Sequence, residues 1–486
     1  MGSSALGASV FVTRIMPSGT VYSTSTTIAK TILGAGILAL PFAYAQTGQM
    51  LGTALLLVAG IAQFFTLHLL GWLVVDARAR HGDGHVPSFH SLAIDAFGSQ
   101  RAGVAVEVVN AIHTFGTACS LLLVIGDLVP QVVSIFGALP REEAWLEKQW
   151  VWISIIGVFV VLPLFFQPSL DGLRCFSALG NASVALIAVV TVAFAVGLLQ
   201  TPVPDAPITL APPRPTWSGF AGQLECLSIY IFAFACAYNV PAAIIEMARP
   251  SMARVDAAIG TGVGLASILY VLVAWCGSAA FGANVGADLL AYFPNEEILS
   301  PYWDATDGAR NTASAVGALC RLAMLLNLCV TVPIMLHPTR GSVCQIFLGR
   351  HPSTLSSVSW AACTLGLFAG AWGVAVSVSS LDAVMGFVGA TTGMLIGFTI
   401  PCMLYERLAA RKSAAIQSTD ADTLVTPYLL AADAGVVSPD DDLDDEASTI
   451  AAPWTVQLAR VVGRASLLMV PVLLTAQFFS LTRSSE

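Results

Sequence analysis

The sequence predicts an all-α, polytopic membrane protein with eleven transmembrane helices, ten of them in a 5+5 inverted repeat and one extra. Three observations predict it. Hydrophobic residues fill 56% of the 486 positions and charged residues only 10%, against roughly 25% charged in soluble domains. Apolar runs of the roughly 20 residues that cross a bilayer recur along the chain. Two of these runs, five apart, are interrupted midway by Gly, Asn and Pro, as in transporters built from inverted repeats.

The same composition excludes other classes. Few soluble folds hide so much apolar surface. The net charge of -9 argues against nucleic acid, which demands a basic face. The ten cysteines are scattered, with no CxxC pair and no Cys/His cluster, so neither a disulfide framework nor a metal centre is expected. No nucleophile elbow and no HExxH is present. No catalytic residue, cofactor or metal is expected, and the bilayer is the one structural partner.

Taken in order, the runs fall near 26–46, 50–75, 103–126, 150–166, 174–200, 219–247, 256–281, 313–337, 358–376, 382–405 and 461–481. The fourth is barely long enough and carries Pro163. The domain plan is a cytosolic tail, 1–25, and a transport core, 26–404, divided into repeats 26–200 and 219–404. An acidic, disordered cytosolic linker, 405–453, and an eleventh helix with a short tail, 454–486, follow. With a cytosolic N-terminus, 14 of the 21 Lys and Arg lie in cytosolic segments and five on the other side, which obeys the positive-inside rule. The linker holds the run Pro439-Asp-Asp-Asp-Leu-Asp-Asp-Glu446 and contributes -7 of the net -9. Such a composition reads as a solvated spacer, or as a regulatory segment.

Function is expected where a span breaks or buries charge. In span one, Lys30-Thr-Ile-Leu-Gly-Ala-Gly-Ile37 runs on to Pro41. Gly34 and Gly36 weaken the helix, and Pro41 removes a donor and crowds the preceding turn. Free amides near Gly34, Ala35, Gly36 and Ile37 would form a half-helix N-terminus suited to a carboxylate. Close packing through small residues explains the glycines equally well. In span six, Asn239 and Pro241 interrupt Phe232-Ala-Phe-Ala-Cys-Ala-Tyr-Asn-Val-Pro241. Paired breaks favour a secondary transporter of a small zwitterion or anion.

The residues also resemble a known family. Lys30 to Pro41, followed by Phe42-Ala-Tyr-Ala-Gln-Thr-Gly48, resembles the first-span signature of the amino acid/auxin permeases. That family includes sodium-coupled neutral amino acid transporters and fungal vacuolar amino acid transporters. Ile125-Gly-Asp-Leu-Val-Pro130, Ser169-Leu-Asp-Gly-Leu-Arg174, Arg321 with Thr331-Val-Pro-Ile-Met-Leu-His-Pro338, and Leu381-Asp-Ala-Val-Met-Gly-Phe-Val-Gly-Ala-Thr-Thr392 extend the match in order. The resemblance implies a LeuT-type fold and ion-coupled movement of amino acids. It places substrate at Thr31, Gly34, Ala35, Gly36 and Ile37 in span one, and at Phe234, Cys236, Ala237, Tyr238 and Asn239 in span six.

The chain departs from the family twice. Where span six commonly reads Cys-His-Gln-Asn, this sequence has Cys236-Ala-Tyr-Asn239, a less polar lining that suits neutral substrates. Sodium-coupled members carry an Asn where this chain has Lys30, together with a span-eight Thr that Thr331 matches. An ammonium beside a sodium site repels the ion by several kcal/mol at low effective dielectric. The expectation is sodium-independent transport, with proton favoured over sodium and Lys30, Asn327 and Thr331 as coupling residues. A snorkelling Lys without a coupling role is the plainer alternative.

Glu107, Asn110 and His113, at i, i+3 and i+6 in span three, read as an interhelical hydrogen-bond cluster, with a proton relay as the other reading. Asn327 and Thr331, at i and i+4, share a face that could meet span one. The leading function is a secondary amino acid transporter in a plasma or vacuolar, lysosome-like membrane. An amino acid sensor signalling through cytosolic segments and a sodium-coupled symporter are the alternatives.

Overall fold

The computed structural model describes residues 19–81, 87–135, 148–167, 175–199, 217–282, 285–293, 307–349, 354–378, 380–418 and 453–484. Its helices are α1 (Val21–Ile32), α2 (Gly36–Thr47), α3 (Gln49–His81), α4 (Phe89–Phe97), α5 (Gln100–Ile135), α6 (Gln149–Phe165) and α7 (Cys175–Ala195). They continue as α8 (Trp217–Phe234), α9 (Val240–Ile245), α10 (Met252–Phe281), α11 (Asp307–Leu348), α12 (Ser357–Ser377), α13 (Leu381–Val388), α14 (Ile400–Ser418) and α15 (Pro453–Ser484). Two π-helical segments, Gly389–Gly393 and Leu395–Thr399, join α13 to α14.

The apolar runs read from the sequence fall on helical segments among the described residues, runs one, six and ten each being divided among more than one segment. Eight helices there are long and apolar enough to cross a membrane, or nine when the bent pair α1–α2 counts as one span. α6 and the apolar part of α7, Gly180–Ala195, are shorter. Residues 1–18 of the expected tail, the Ser169–Arg174 motif and 419–452 of the expected linker lie outside the described residues. The first 14 positions of that linker, 405–418, continue α14, and the last positions of the tail already belong to α1.

The ends of the elements follow from local chemistry. α1 begins at Thr20, whose side chain accepts from the Ser23 amide at 3.1 Å while Ser23 Oγ accepts from the Thr20 amide at 2.9 Å, a reciprocal cap. α4 has the same device at Ser88 and Ser91 and stops at Gly98, whose φ of 66° favours glycine. Gly19 pairs with the far end of span six, its amide on Glu246 O and its carbonyl taking the Ala248 amide, both at 2.9 Å.

The two broken spans lie at the centre. α1 and α2 pack on α10, α2 packs on α8, and α10 is flanked by α3 and α7. The pair α5–α11 forms the other half of the body, with α6 and α12 beside it. Pro41, read as a cause of the first break, sits within α2. Its ring is accommodated by Gly277, where a Cβ would lie 2.6 Å from Pro41 Cγ. The break itself falls at Leu33–Ala35, where α1 and α2 diverge by 57°.

Polar contacts tie the rods together at both ends. At one end Asp76 binds Arg80 Nε at 2.8 Å and the Lys412 ammonium, and Asp95 takes Arg80 and His81. Arg411 donates to Asp95 O at 2.8 Å and Arg460 to Glu406 at 2.9 Å. α3, α4, α14 and α15 are thereby joined. At the opposite end Arg321 is wholly buried. It donates to Gln131 Oε1 at 2.8 Å and to Phe293 O, with the Asp288 carboxyl close by. Burial pushes that carboxyl up to about 6, against the pull of the Leu290 amide and the Arg321 charge.

Removing one member of a buried charged pair costs about 3–5 kcal/mol, because it strands the other. Arg321→Met is therefore expected to lower the thermal midpoint of detergent-purified protein sharply. The double variant Arg321→Met/Asp288→Asn should recover part of the loss. Equal midpoints for the single and double variants would show that the two groups are not coupled.

Candidate functional site

At the first break the chain leaves the helix in a tight turn over Leu33–Ala35, with Ala35 already back in helical conformation. Leu33 takes φ -74° and ψ 65°, its amide still bonded to Ala29 O at 2.8 Å. The expected free amides divide. Gly34 N turns back on Ile32 O at 2.7 Å, and Ile37 N reaches Gly34 O at 3.4 Å. The amides of Ala35 and Gly36 have no acceptor among the described contacts. The open N-terminus of α2 is thus two amides wide rather than four, at buried positions.

The second break faces it. α8 ends at Phe234, Cys236 takes φ -136°, and a single 3₁₀ turn, Ala237–Asn239, leads into α9 with Pro241 in its first turn. Pro at that place gives up only an amide that a helix start leaves unpaired anyway. Phe234, Cys236 and Ala237 are buried, and Tyr238 and Asn239 are half-buried. The two breaks touch: a Cβ on Gly36 would lie 2.9 Å from Ala233 Cα. Glycine at 36 is what allows α2 to start against the end of α8.

Other groups converge on this junction. Tyr270 of α10 puts its hydroxyl on Ile32 O and, at 2.8 Å, on Ala233 O. Tyr238 donates to Met335 Sδ at 3.2 Å, and its ring lies 5.6 Å from that of His113. His113 Nδ1 is 3.3 Å from Thr392 Oγ1, in the first π segment. That segment presses on α8, since a Cβ on Gly389 would fall 2.0 Å from Ser228 O.

The sequence-derived residues divide between this junction and elsewhere. Gly34, Ala35, Gly36, Ile37, Phe234, Cys236, Ala237, Tyr238 and Asn239 form the two facing segments. Thr31 spends its hydroxyl on Thr27 O at 2.9 Å, within α1. Lys30 occupies the last turn of α1 and is half-buried, where the negative end of the half-helix dipole favours a cation. Asn327 and Thr331 do share a face, Thr331 Oγ1 donating to Asn327 O at 2.7 Å. The Asn327 side chain, however, is turned to α7, within 2.3 Å of where a Cβ on Gly180 would stand. Glycine at 180 makes room for it, so the expectation that this face meets span one is corrected for Asn327.

The polar face of span three also divides. Glu107 and Asn110 both meet Ser342 of α11, and Thr114 meets Thr339 at 2.7 Å. These groups rivet α5 to α11, while His113 alone turns to the junction. Tyr270 and Thr392 went unassigned in the sequence. For Tyr270 the available signal was a solitary phenol in an apolar span, whose hydroxyl must find a partner. Among the described residues no group of three or more His, Cys, Asp and Glu is arranged to hold a metal.

These features define a class: a multi-pass helical membrane protein with two apposed broken helices. A solved Eremococcus coleocola manganese transporter has this fold, with a TM-score of 0.54 at 12% identity, covering 99% of this chain and 97% of that one. The chain belongs to the transmembrane amino acid transporter protein family, whose profile matches residues 17–431. Vacuolar amino acid transporter 5 of Schizosaccharomyces pombe is 30% identical over 386 residues, 79% of this chain and 83% of that one. Vacuolar amino acid transporter 6 of Saccharomyces cerevisiae is 26% identical over 444 residues, 81% and 91% of the two chains. Solute carrier family 38 member 10 of Rattus norvegicus is 23% identical over 394 residues, 79% of this chain but 32% of its own.

The two glycines of the first break are not equivalent. Gly36→Ala is expected to destabilise the protein by about 1–3 kcal/mol through overpacking. Gly34→Ala, whose added Cβ would meet nothing nearer than Ile32 O at 4.0 Å, should shift the thermal midpoint little. Similar losses from both substitutions would overturn this account of the junction.

Proposed function

We propose that this chain is a secondary active transporter that moves neutral amino acids across a vacuolar or lysosome-like membrane by alternating access, driven by protons rather than sodium. The observation that carries the reading is the apposition of the two breaks at Gly36 and Ala233. The unpaired amides of Ala35 and Gly36 suit a substrate carboxylate, since a half-helix N-terminus favours an anion. Cys236, Ala237 and Tyr238 offer a largely apolar wall for the side chain, with Asn239 beside it. The family and the fungal vacuolar relatives support the reading of an amino acid substrate and a vacuolar membrane.

The eleven crossings are read as two five-helix repeats and one added span. Spans one and six, both broken, touch each other, and spans three and eight, α5 and α11, share an extensive interface. Both pairs are five spans apart. Arg80, Arg411, Lys412 and Arg460 gather at one end of the bundle, which the positive-inside rule makes cytosolic and which agrees with a cytosolic N-terminus.

Lys30 is the proposed coupling group: it lies in the last turn of α1, where the helix dipole favours a cation. The substrate site comprises Gly34, Ala35, Gly36, Ile37, Phe234, Cys236, Ala237, Tyr238 and Asn239, with Thr31 a turn away; Thr331 is proposed as a second coupling group in span eight, where Asn327 is turned to α7.

The test is uptake of labelled neutral amino acids by purified protein in liposomes. Saturable uptake should persist when choline replaces sodium and should rise with an inward proton gradient. Lys30→Met should remove the stimulation by the gradient while leaving substrate exchange at equal pH. Uptake that strictly requires sodium would overturn the coupling assignment. Saturable binding without flux would favour a sensor.

A further inference from the structure

Tyr270 lies in mid-α10 and is completely buried. Its hydroxyl stands within hydrogen-bonding distance of two backbone carbonyls that belong to different broken spans, Ile32 O of α1 and Ala233 O of α8. Its ring is fixed edge-on against Phe234, with centroids 5.3 Å apart. Both carbonyls sit at the C-terminal end of a half-helix, where the amide that would have covered each has been carried away by the break. Ile32 O also receives the Gly34 amide at 2.7 Å. Among the described contacts, the Tyr270 hydroxyl is the donor to Ala233 O.

Two negative half-helix ends therefore converge on one proton. In transporters of this architecture, half-helix C-termini and unwound carbonyls coordinate the coupling cation. Here a neutral hydroxyl on a rigid ring stands between two such ends. It is supplied by a third helix, so neither half-helix end can shift without breaking its bond to α10. The same residues, Ile32 and Ala233, flank the unpaired amides of Ala35 and Gly36 and the turn at Tyr238 and Asn239.

We propose that Tyr270 is a positioning residue of the transport site: its hydroxyl latches the C-terminal carbonyls of both broken helices and fixes the spacing of the two substrate-binding segments where a bound cation would otherwise do so. This role rests on the amino acid transport reading. Without the hydroxyl the ring still fills its space, but the two breaks lose their common reference. Substrate affinity falls because the carboxylate end and the side-chain end are no longer held at one separation.

The experiment is Tyr270→Phe in liposomes, beside wild-type protein and Tyr230→Phe. Tyr230 is a matched control. Its buried hydroxyl also links two helices, meeting Thr47 Oγ1 at 3.1 Å, but at the far end of α2. Tyr270→Phe is expected to raise KM about tenfold, the scale of one buried hydrogen bond. Tyr230→Phe should lower the thermal midpoint and leave KM unchanged. A Tyr270→Phe protein with wild-type KM, its Vmax reduced only in proportion to folded protein, would overturn the positioning role. So would an equal rise in KM for Tyr230→Phe. Failure of the wild-type protein to show any saturable uptake would overturn the transport reading and this role with it, whereas equal KM values in active proteins overturn Tyr270 alone.

Discussion

Inside a bilayer every backbone amide and carbonyl must find a partner within the protein, since lipid offers none. Continuous helices satisfy this automatically. A helix that stops at mid-depth exposes amides on one side of the gap and carbonyls on the other. Among the described residues there are two such gaps, and the helices around them are arranged to cover them. The carbonyl ends are closed by Tyr270 and by the Gly34 amide. The amide end at Ala35 and Gly36 is left open. A break that is closed on its carbonyl side and open on its amide side is electrostatically one-sided and favours a negative group.

Holding two gaps together in a fluid membrane requires close approach, because helix association there is driven by packing and hydrogen bonds rather than by burial from water. Small residues are placed accordingly. Gly36 meets Ala233, Gly277 receives Pro41 and Gly389 lies against Ser228 O. The second half of the body uses side-chain polar contacts instead. Glu107 and Asn110 meet Ser342, and Thr114 meets Thr339, so that α5 and α11 are fastened along one seam. The centre is close-packed through backbone and the flank is bolted through side chains. Such a division suits one half moving against the other.

Much of this was legible in the sequence because it follows from composition and backbone chemistry. Apolar runs locate helices, and Gly34, Gly36, Asn239 and Pro241 mark the segments where the helices stop. The exact site of the first break was not legible. Pro41 is the residue most hostile to a helix, yet α2 continues through it, because Gly277 gives its ring room and the lost bond to Ile37 is a single one. The facing of Asn327 was not legible either. Helical periodicity gives the face it shares with Thr331, but which neighbour that face meets depends on Gly180, 147 positions away in the chain. The π segments of span ten, and Tyr270's reach to two carbonyls, likewise depend on long-range apposition that no local pattern encodes.

The placement of charge completes the argument. The acidity that dominates the composition is concentrated in positions 419–452, which hold nine Asp and Glu and no Lys or Arg. Among the described residues, two groups of formal charges gather toward the ends of the helices. Asp76 and Asp95 draw Arg80, His81 and Lys412 together at one end, and Arg321 sits with Asp288 at the other. Lys30 lies in the last turn of α1, beside the first break, where the helix dipole favours a cation. A second cation at that end would meet the Tyr270 hydroxyl proton, which is already directed at Ile32 O and Ala233 O.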